Sequence, residues 1–217
     1  MVTKILSDSQ RVKQDLCDDS VFYSSPRFVH HLDASFRSKL TALLSRHIKE
    51  NSTILDLMSS WVSHLPSDIN YKKVIGHGLN QKELEANNQL DTFWVQNLNT
   101  ETTLPLYDSS VDYILMTAAW QYLVQPELIA EELRRVISNQ GELIISFSNR
   151  AFWSKSPRIW VESKDQNRLK YISAVLISNG WTIKETLVDK NSDKGILDHI
   201  LGRDSDPFFA VIAQPLL

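Results

Sequence analysis

The chain has 217 residues, of which 42% are hydrophobic, and this suits one domain with a substantial buried core. A formal net charge of −3 disfavours nucleic acid as a partner, although it does not exclude a local basic patch. The single cysteine, Cys17, rules out an internal disulfide, and no apolar run reaches the length of a signal-peptide core or a membrane span. We therefore expect a soluble, cytoplasmic protein without a metal site.

The N-terminal 50 residues predict a helical cap on an α/β core. Residues 1–20 are polar and predict a frayed start or a surface helix. Residues 21–33, VFYSSPRFVHHLD, combine aromatic, cationic and histidine side chains, which suits a flap over a pocket. Two adjacent histidines point to different faces of a helix and make a poor metal site. Residues 33–50 place apolar side chains at helical spacing and predict an amphipathic helix.

The core, residues 51–217, begins with a short apolar run whose length suits a fully buried strand, Ile54-Leu55-Asp56-Leu57. Burying Asp56 is costly unless it meets a backbone amide, a cation or a ligand. Serines follow, and residues 61–65 predict a short turn of helix that Pro66 ends. Ligands of open α/β sheets bind beyond such strand ends, so this is a candidate cofactor site. The alternative is a structural turn in which Asp56 caps backbone amides.

The next part of the chain alternates strands with helices. Asn80 is a good N-cap, and Glu83 nearly completes a capping box for a helix over residues 81–88. Pro126 begins a second helix, which residues 139–141 close. The alternation predicts a parallel, doubly wound sheet with right-handed crossovers. Its further strands are predicted at residues 72–76, 93–96, 111–116 and 142–148.

The C-terminal part predicts one helix and two more strands. The helix carries residues 169–177 and ends at Asn179-Gly180. The strands cover residues 181–188 and 207–213, separated by a turn region rich in Asp, Lys and Gly. They could pair as an antiparallel hairpin at one edge of the sheet.

Residues 104–148 resemble the fourth strand, helix and fifth strand of class I S-adenosylmethionine-dependent methyltransferases. The likeness extends over about residues 50–150, and within it the chain resembles a smaller, methyltransferase type 11-like branch of unknown substrate. That branch has a first motif Asp-Leu-Met-Ser-Ser-Trp, here residues 56–61, and a fifth strand that ends Phe-Ser-Asn-Arg, here residues 147–150. The N-terminal Tyr23, Pro26, Arg27 and Phe28 resemble the same branch. The positions that match the wider family are Leu104-Pro105, Asp108, Ser110, Asp112, Arg135-Val136 and Gly141.

The resemblance implies a single methyltransferase-like domain with a Rossmann-like α/β fold. Its sheet would be doubly wound, mostly parallel and seven-stranded, with the last strand antiparallel. It also implies an enzyme that uses S-adenosyl-L-methionine to methylate a small molecule, as a monomer or homodimer. The cofactor-binding residues it implies are Asp56, Met58, Ser59, Ser60, Gly78, Leu79, Asn80, Asn97, Leu98, Ala118 and Trp120. For Leu79 and Leu98, plain core packing is an alternative.

Three positions depart from the family pattern. The turn after Asp56 has no glycine, so serine hydroxyls and N–H groups would serve the cofactor's carboxylate, provided no residue needs a positive φ. Gly78 stands where the family places the acid that binds the ribose, and Asn80 could reach a ribose hydroxyl instead. Asn97 replaces the usual aspartate, and its carbonyl oxygen can still accept a bond from the adenine amino group.

Acceptor-side candidates come from the N-terminal flap and from the ends of the fourth and fifth strands. An arginine among them could hold a carboxylate or phosphate, or simply pair with a neighbouring acid. The family shares no universal catalytic residue; His64 and Tyr122 are weak candidates, and His64 is as readily a buried, hydrogen-bonded side chain. Trp153 could stack on a ring or cover the sheet edge. The acceptor-side set is Tyr23, Arg27, His31, Trp120, Tyr122, Asn149, Arg150 and Trp153.

Three other functions compete with a small-molecule methyltransferase. A non-catalytic module that has lost productive cofactor binding would explain the missing glycines and ribose acid. A methyltransferase acting on RNA or protein is disfavoured by the acidic pI of about 6.1. A nicotinamide-dependent dehydrogenase is disfavoured because no Gly-x-Gly-x-x-Gly follows the first strand.

Overall fold

The computed structural model describes residues 2–190 and 205–216, which form a seven-stranded sheet. The strand order is β3-β2-β1-β4-β5-β7-β6. β1 lies near the middle, so its carboxyl end meets those of β2 and β4. The strands are β1 (Thr53–Asp56), β2 (Lys73–Gly78), β3 (Thr92–Val95), β4 (Val111–Thr117), β5 (Ile137–Phe147), β6 (Trp181–Asp189) and β7 (Phe208–Pro215).

The predicted topology is confirmed. The five strands from β3 to β5 pair in parallel, whereas β7 lies antiparallel between β5 and β6. The predicted C-terminal hairpin is therefore present, with β6 on the outside. The Asp-, Lys- and Gly-rich turn expected between these two strands lies outside the described residues.

The helices form where the sequence carries apolar periodicity and caps. Asp33 caps the helix Ala34–His47 by accepting a hydrogen bond from the N–H of Phe36. Pro126 starts the helix Pro126–Val136 at a position where its missing N–H costs nothing. Among the described helices, none is long and apolar enough to cross a membrane. The helices are α1 (Asp8–Arg11), α2 (Asp19–Phe22), α3 (Ala34–His47), α4 (Gln81–Glu85), α5 (Pro126–Val136), α6 (Arg158–Glu162) and α7 (Asp165–Ser178).

Two hydrophobic layers sandwich the sheet. On one face, Ile129 and Leu133 of α5 and Val175 of α7 pack into the larger core. On the other face, α3 buries Phe36 and Leu40 against the sheet. Each fully buried apolar side chain of this size contributes roughly 1.5–3 kcal/mol. Both faces of the central strands are covered, which explains their continuous apolar runs.

The short helix predicted after β1 is wrong, since residues 57–72, all of them described, contain none. Only a few residues separate the serines from Pro66, and His64 adopts a left-handed φ of 56°, which interrupts a right-handed helix. The segment is held instead by α3, because Thr41 Oγ1 donates to the His64 carbonyl at 3.1 Å. Leu65 packs beneath α3.

Residues 2–20 are not a frayed start, whereas the predicted alternative of a surface helix is present in α1, which buries no residue. Arg11 makes a bidentate pair with the buried Glu127, at 2.8 and 2.9 Å. Lys13 Nζ lies 2.7 Å from an Asp19 carboxylate oxygen, and burial lowers the pKa of Lys13. The fully buried Lys155 donates to the Cys17 carbonyl at 2.7 Å. These buried ionic bonds fix the N-terminal segment to the core.

Two predicted helix ends also differ from the structure. α4 ends at Glu85, although the sequence predicts a helix to residue 88. Residues 139–141, predicted as a helix stop, lie within β5. A Cβ at Gly141 would lie 2.6 Å from the Asp112 carbonyl oxygen, so the glycine lets β5 approach β4 where their register shifts.

Candidate functional site

A cavity of about 640 Å³ opens at the carboxyl ends of β1, β2, β4 and β5. This is where open α/β sheets bind ligands, and the volume falls within the usual range for a small-molecule site. Nearly all predicted site residues line it: Tyr23, Arg27, His31, Asp56, Met58, Ser59, Ser60, His64, Gly78, Leu79, Asn80, Asn97, Leu98, Ala118, Tyr122, Asn149, Arg150 and Trp153.

Trp120 is the exception and does not line the cavity. Its side chain is 1% exposed and belongs to the hydrophobic core. It lies on a short 3₁₀ turn, Trp120–Tyr122, where the flanking Ala119 and Gln121 face the cavity instead. The predicted role of Trp120 at the cofactor is therefore wrong.

His77 shapes the turn after β1. The N–H of Met58 donates to His77 Nδ1 at 3.1 Å, and the N–H of Ser59 donates to the His77 carbonyl at 2.6 Å. Because Nδ1 accepts, Nε2 carries the proton and donates to the Gln96 carbonyl at 2.9 Å. Burial lowers the pKa of His77 to about 4, which keeps it neutral.

Met58 takes the place of a glycine in this turn. Its φ is 58°, so the condition that no residue of this turn needs a positive φ is not met. A left-handed non-glycine residue costs about 1–2 kcal/mol. The two backbone hydrogen bonds to His77 offset that cost at about 1 kcal/mol each. They also occupy two N–H groups that we expected to serve the cofactor's carboxylate.

Gly78 leaves no room for the missing ribose acid. A Cβ built at Gly78 would lie 2.6 Å from the carbonyl oxygen of Ser59. Real Cβ atoms do not approach backbone oxygens so closely. The Ser59 carbonyl cannot easily move away, because hydrogen bonds to His77 hold the turn after β1 in place. The tight turn and the absence of a carboxylate at the end of β2 therefore have one steric cause.

Two buried carboxylates face the cavity beside the serines. Ser59 Oγ donates to Asp56 at 2.5 Å, and Ser60 Oγ donates to Glu83 at 2.5 Å. Burial raises the pKa of Asp56 to about 6. Since both hydroxyl protons are used, the serines offer only lone pairs to a ligand. This arrangement suits a cationic group such as an ammonium better than a carboxylate.

Glu83 is a site residue that sequence reasoning missed. Its side chain does not complete a capping box; it accepts from the N–H of Arg27 at 2.7 Å and from Ser60. Asn80 does cap α4, through a 3.1 Å bond from the N–H of Glu83. From the sequence, Glu83 was interpreted as a capping residue of α4. Its bond to Arg27 could not be foreseen, because Arg27 lies 56 residues away in the chain.

The two asparagines expected at the ribose and adenine anchor the N-terminal segment. Asn80 Nδ2 donates to the carbonyls of Tyr23 and Ser24, at 2.8 and 3.1 Å. Asn97 Oδ1 accepts from the N–H of Asn99 at 3.0 Å, and its amide lies 3.3 Å from Asp18. Each amide oxygen already accepts one bond and keeps one lone pair for a ligand.

The N-terminal segment forms an aromatic wall of the cavity. The Arg27 guanidinium lies over the ring of Phe22 at 4.7 Å and near that of Phe152 at 5.7 Å. Arg150, the other candidate anion-binding residue, is already paired, because its Nε lies 2.5 Å from Asp206. Its Nη1 also lies 3.4 Å from the His31 carbonyl. The structure thus separates two arginines that the sequence left equivalent.

Neither weak catalytic candidate is tuned to be a strong base. Burial, with the charges of Arg37 and His30, lowers the pKa of His64 to about 4. Burial raises the pKa of Tyr122, whose hydroxyl accepts from the N–H of Phe152 at 3.0 Å. Within the described residues no group of three His, Cys, Asp or Glu side chains could hold a metal ion.

Further cavity residues were not predicted from the sequence. His30, Trp61, His77, Gln121 and Phe152 each adjoin a predicted residue, which was the available signal. Asp19, Arg37 and Glu83 adjoin none and reach the cavity because distant segments meet there. The main unpredicted residues are Asp19, His30, Arg37, Trp61, His77, Glu83, Gln121 and Phe152.

Residues 58–145 match the family model described as a methyltransferase domain. The match covers 88 of the 217 residues. The sheet order and the antiparallel β7 are those of the Rossmann-like methyltransferase fold. The matched domain and this fold support a SAM-dependent methyltransferase and imply S-adenosyl-L-methionine as the cofactor. No curated protein sequence matches the chain.

Solved structures with low sequence identity share the fold. One comes from the complex between the Haloferax volcanii Trm112 methyltransferase activator and a protein assigned as a methyltransferase. Its TM-score is 0.66 and its sequence identity is 15%, and the match covers 84% of this chain and 91% of that one. A SAM-dependent methyltransferase from Aquifex aeolicus has a TM-score of 0.57 and 18% identity, covering 85% and 100%. The [4+2]-cyclase SpnF has a TM-score of 0.60 and 13% identity, covering 82% and 81%.

Proposed function

We propose that this methyltransferase transfers a methyl group from S-adenosylmethionine to a small-molecule acceptor. One observation carries the proposal: the residues expected to hold the cofactor and those expected to hold the acceptor line the same cavity. The cofactor would lie over the ends of β1 and β2. The acceptor would lie between the N-terminal segment and the ends of β4 and β5.

The polar groups of the cavity fit the cofactor at its amino end. Asp56 and the lone pairs of Ser59 and Ser60 suit the ammonium of the methionine moiety. Glu83, whose two oxygens each accept one hydrogen bond, keeps acceptor capacity for ribose hydroxyls where Gly78 offers none. Leu79 and Leu98 would be the apolar walls of the adenine pocket, with Asn97 at its edge.

The bound cofactor would supply an electrophilic methyl group on a sulfonium. The chain's contribution is to align the acceptor in line with the methyl group and to exclude water. An acceptor atom bonds to the methyl carbon as the carbon–sulfur bond breaks, and the proton that the acceptor loses passes to solvent. Neither His64 nor Tyr122 is required as a strong base for an acceptor that is already nucleophilic.

A small acceptor is favoured by the covered cavity. The N-terminal segment that forms its wall is fixed by Arg11 and by the buried Lys13, Asp19 and Lys155. A cavity of about 640 Å³ with a fixed wall fits a small molecule. The net charge of −3 also gives no general attraction for nucleic acid.

A non-catalytic binding module is the second candidate. It is supported by the N–H groups of Met58 and Ser59, which bond to His77, and by Gly78, where no ribose acid fits. The SpnF neighbour is described as a [4+2]-cyclase, so the fold does not by itself fix methyl transfer.

Calorimetric titration with S-adenosylmethionine and S-adenosylhomocysteine tests the proposal. We expect micromolar binding of both ligands, at least tenfold weaker in Asp56→Ala. The matched control is Asp68→Ala, which removes an exposed carboxylate outside the cavity and leaves binding unchanged. If neither ligand binds the wild-type protein, the non-catalytic module is the better account.

A further inference from the structure

Gln121 is a buried polar side chain that has no role in the proposed cofactor site. It is 1% exposed and lines the cavity at the end of β4. Neither its Oε1 nor its Nε2 makes a well-formed hydrogen bond to any group in residues 2–190 and 205–216, although its amide lies close enough to the Tyr122 hydroxyl to influence the pKa of Tyr122. Buried amides are almost always bonded, because leaving one unsatisfied is costly. An amide with so little hydrogen bonding therefore indicates a polar ligand group at this point.

Arg27 brings to the same cavity a guanidinium that forms no ion pair within the described residues. Its Nη2 donates to the Phe22 carbonyl at 2.8 Å, whereas its buried Nη1 has no partner in the described parts of the chain. No carboxylate of those parts lies within 4.0 Å of the guanidinium, in contrast to Arg150, which pairs with Asp206. An anion on the ligand would supply both the missing charge and the missing hydrogen bond.

Aromatic rings connect these two groups. The ring of Phe152 lies 5.7 Å from the Arg27 guanidinium and stacks on Tyr122, with ring centroids 6.2 Å apart and planes at 30°. His31 meets the same ring edge-on at 5.4 Å. Flat walls of this kind favour a planar ligand, which can stack without losing conformational entropy.

We propose that the acceptor is a small aromatic carboxylate. Its carboxylate binds Arg27, its ring lies against Phe152 and Tyr122, and a polar ring substituent bonds to Gln121. This inference rests on the proposed function, because it names the substrate class of that site. The Arg27 backbone adjoins the proposed ribose site, because its N–H donates to Glu83, whereas its guanidinium lies over Phe22 and near Phe152. The variants below test whether the guanidinium serves the acceptor and not the cofactor.

The test is calorimetric titration of the full chain with 4-hydroxybenzoate and with its neutral methyl ester. Both are titrated with and without saturating S-adenosylhomocysteine, so the anion site is measured even if no cofactor binds. We expect 4-hydroxybenzoate to bind at least tenfold more tightly than the ester. Benzoate, which lacks the ring hydroxyl, should bind several-fold more weakly than 4-hydroxybenzoate.

Variants separate the roles of the two side chains. Arg27→Gln should weaken 4-hydroxybenzoate binding at least tenfold and change S-adenosylhomocysteine binding less than twofold, and Arg27→Lys should retain part of the carboxylate affinity. Gln121→Leu should abolish the difference between 4-hydroxybenzoate and benzoate. The exposed Arg158→Gln is the matched charge control and should change nothing.

Three results would overturn the inference. The first is equal binding of the carboxylate and its ester to the wild-type protein. The second is an Arg27→Gln variant, folded by circular dichroism, that binds 4-hydroxybenzoate like the wild type. The third is an Arg27→Gln or Arg27→Lys variant that no longer binds S-adenosylhomocysteine but still binds the carboxylate. That result would assign Arg27 to the cofactor. Failure of S-adenosylhomocysteine to bind the wild-type protein would instead count against the proposed function.

Discussion

The two ends of the cavity differ in how their polar groups are satisfied. At the turn after β1, Ser59 and Ser60 donate to buried carboxylates and His77 bonds on three sides. Beside β4, Gln121 makes no well-formed hydrogen bond within the described residues, and neither does Nη1 of Arg27. One end is organised before any ligand arrives, whereas the other keeps open hydrogen-bonding positions. The difference suits a fixed cofactor at the first end and a recognised acceptor at the second.

Breaking the attachment of the N-terminal segment should disturb the acceptor end most. Arg11→Met leaves the carboxylate of Glu127 buried without its cation, and removing one partner of such a pair costs about 3–5 kcal/mol. Urea unfolding should show this loss. Arg158→Met, which breaks an exposed pair with Glu162, should cost less than about 1 kcal/mol. Equal costs in the two variants would show that the segment is not held as described.

Comparing Gly78→Ala with Gly76→Ala distinguishes a clash with the backbone of the turn after β1 from a clash with a flexible side chain. We expect a smaller loss of stability here than in Arg11→Met. Gly78→Ala would place a Cβ 2.6 Å from the backbone oxygen of Ser59, whereas Gly76→Ala would meet the end of the flexible Leu90 side chain at 2.4 Å. We expect Gly78→Ala to lose about 2–3 kcal/mol and to weaken cofactor binding, because the turn after β1 must move. Gly76→Ala should lose less and bind the cofactor normally. The reverse order of stabilities in urea would contradict the steric account of the missing ribose acid.

The pH dependence of stability sharpens the assignment of Asp56. Its folded pKa of about 6 lies above its ordinary value of 3.8, so the folded state holds the proton more tightly. This group therefore favours folding below pH 3.8, and the contribution is lost as the pH rises through 6. Asp56→Asn should stabilise the ligand-free protein by about 2–3 kcal/mol at pH 8 and by nothing near pH 3.5. It should also weaken cofactor binding at pH 8.

His77 acts in the opposite direction over part of the same range. Its folded pKa of about 4 lies below the ordinary 6.5, so its contribution is present above pH 6.5 and is lost as the pH falls through 4. The Asp56→Asn comparison is therefore made at matched pH against the wild type, in which the contribution of His77 is the same. If Asp56→Asn is no more stable than the wild type at pH 8, burial of the ionised Asp56 carboxylate does not destabilise the folded protein and the account is contradicted.

Much of the fold was predictable because its signals are local. Apolar runs marked the strands, Pro126 and Asn80 marked helix starts, and Gly180, whose φ is 83°, marked a helix end. The helix after β1 was mispredicted because left-handed residues and the packing of α3 override the local pattern there. The tethered N-terminus was missed because Arg11 and Glu127 lie 116 residues apart.

The residues that line the cavity were predictable where strand ends met the family pattern. Trp120 was assigned wrongly because neighbours on a 3₁₀ turn face different ways, so the core takes Trp120 and the cavity takes Gln121. Glu83 was missed because its partners, Ser60 and Arg27, come from separate segments. Contacts of this kind form where segments distant in the chain come together in the fold. The spacing of residues in the sequence does not predict them.

A crystal structure with S-adenosylhomocysteine tests the central claim most directly. We predict that the ligand's amino group lies within hydrogen-bond distance of Asp56 and Ser59, that its adenine contacts Leu79 and Leu98, and that its sulfur faces the space between Gln121 and Phe152. A ligand bound outside this cavity, or bound with its amino group away from Asp56, would contradict the account.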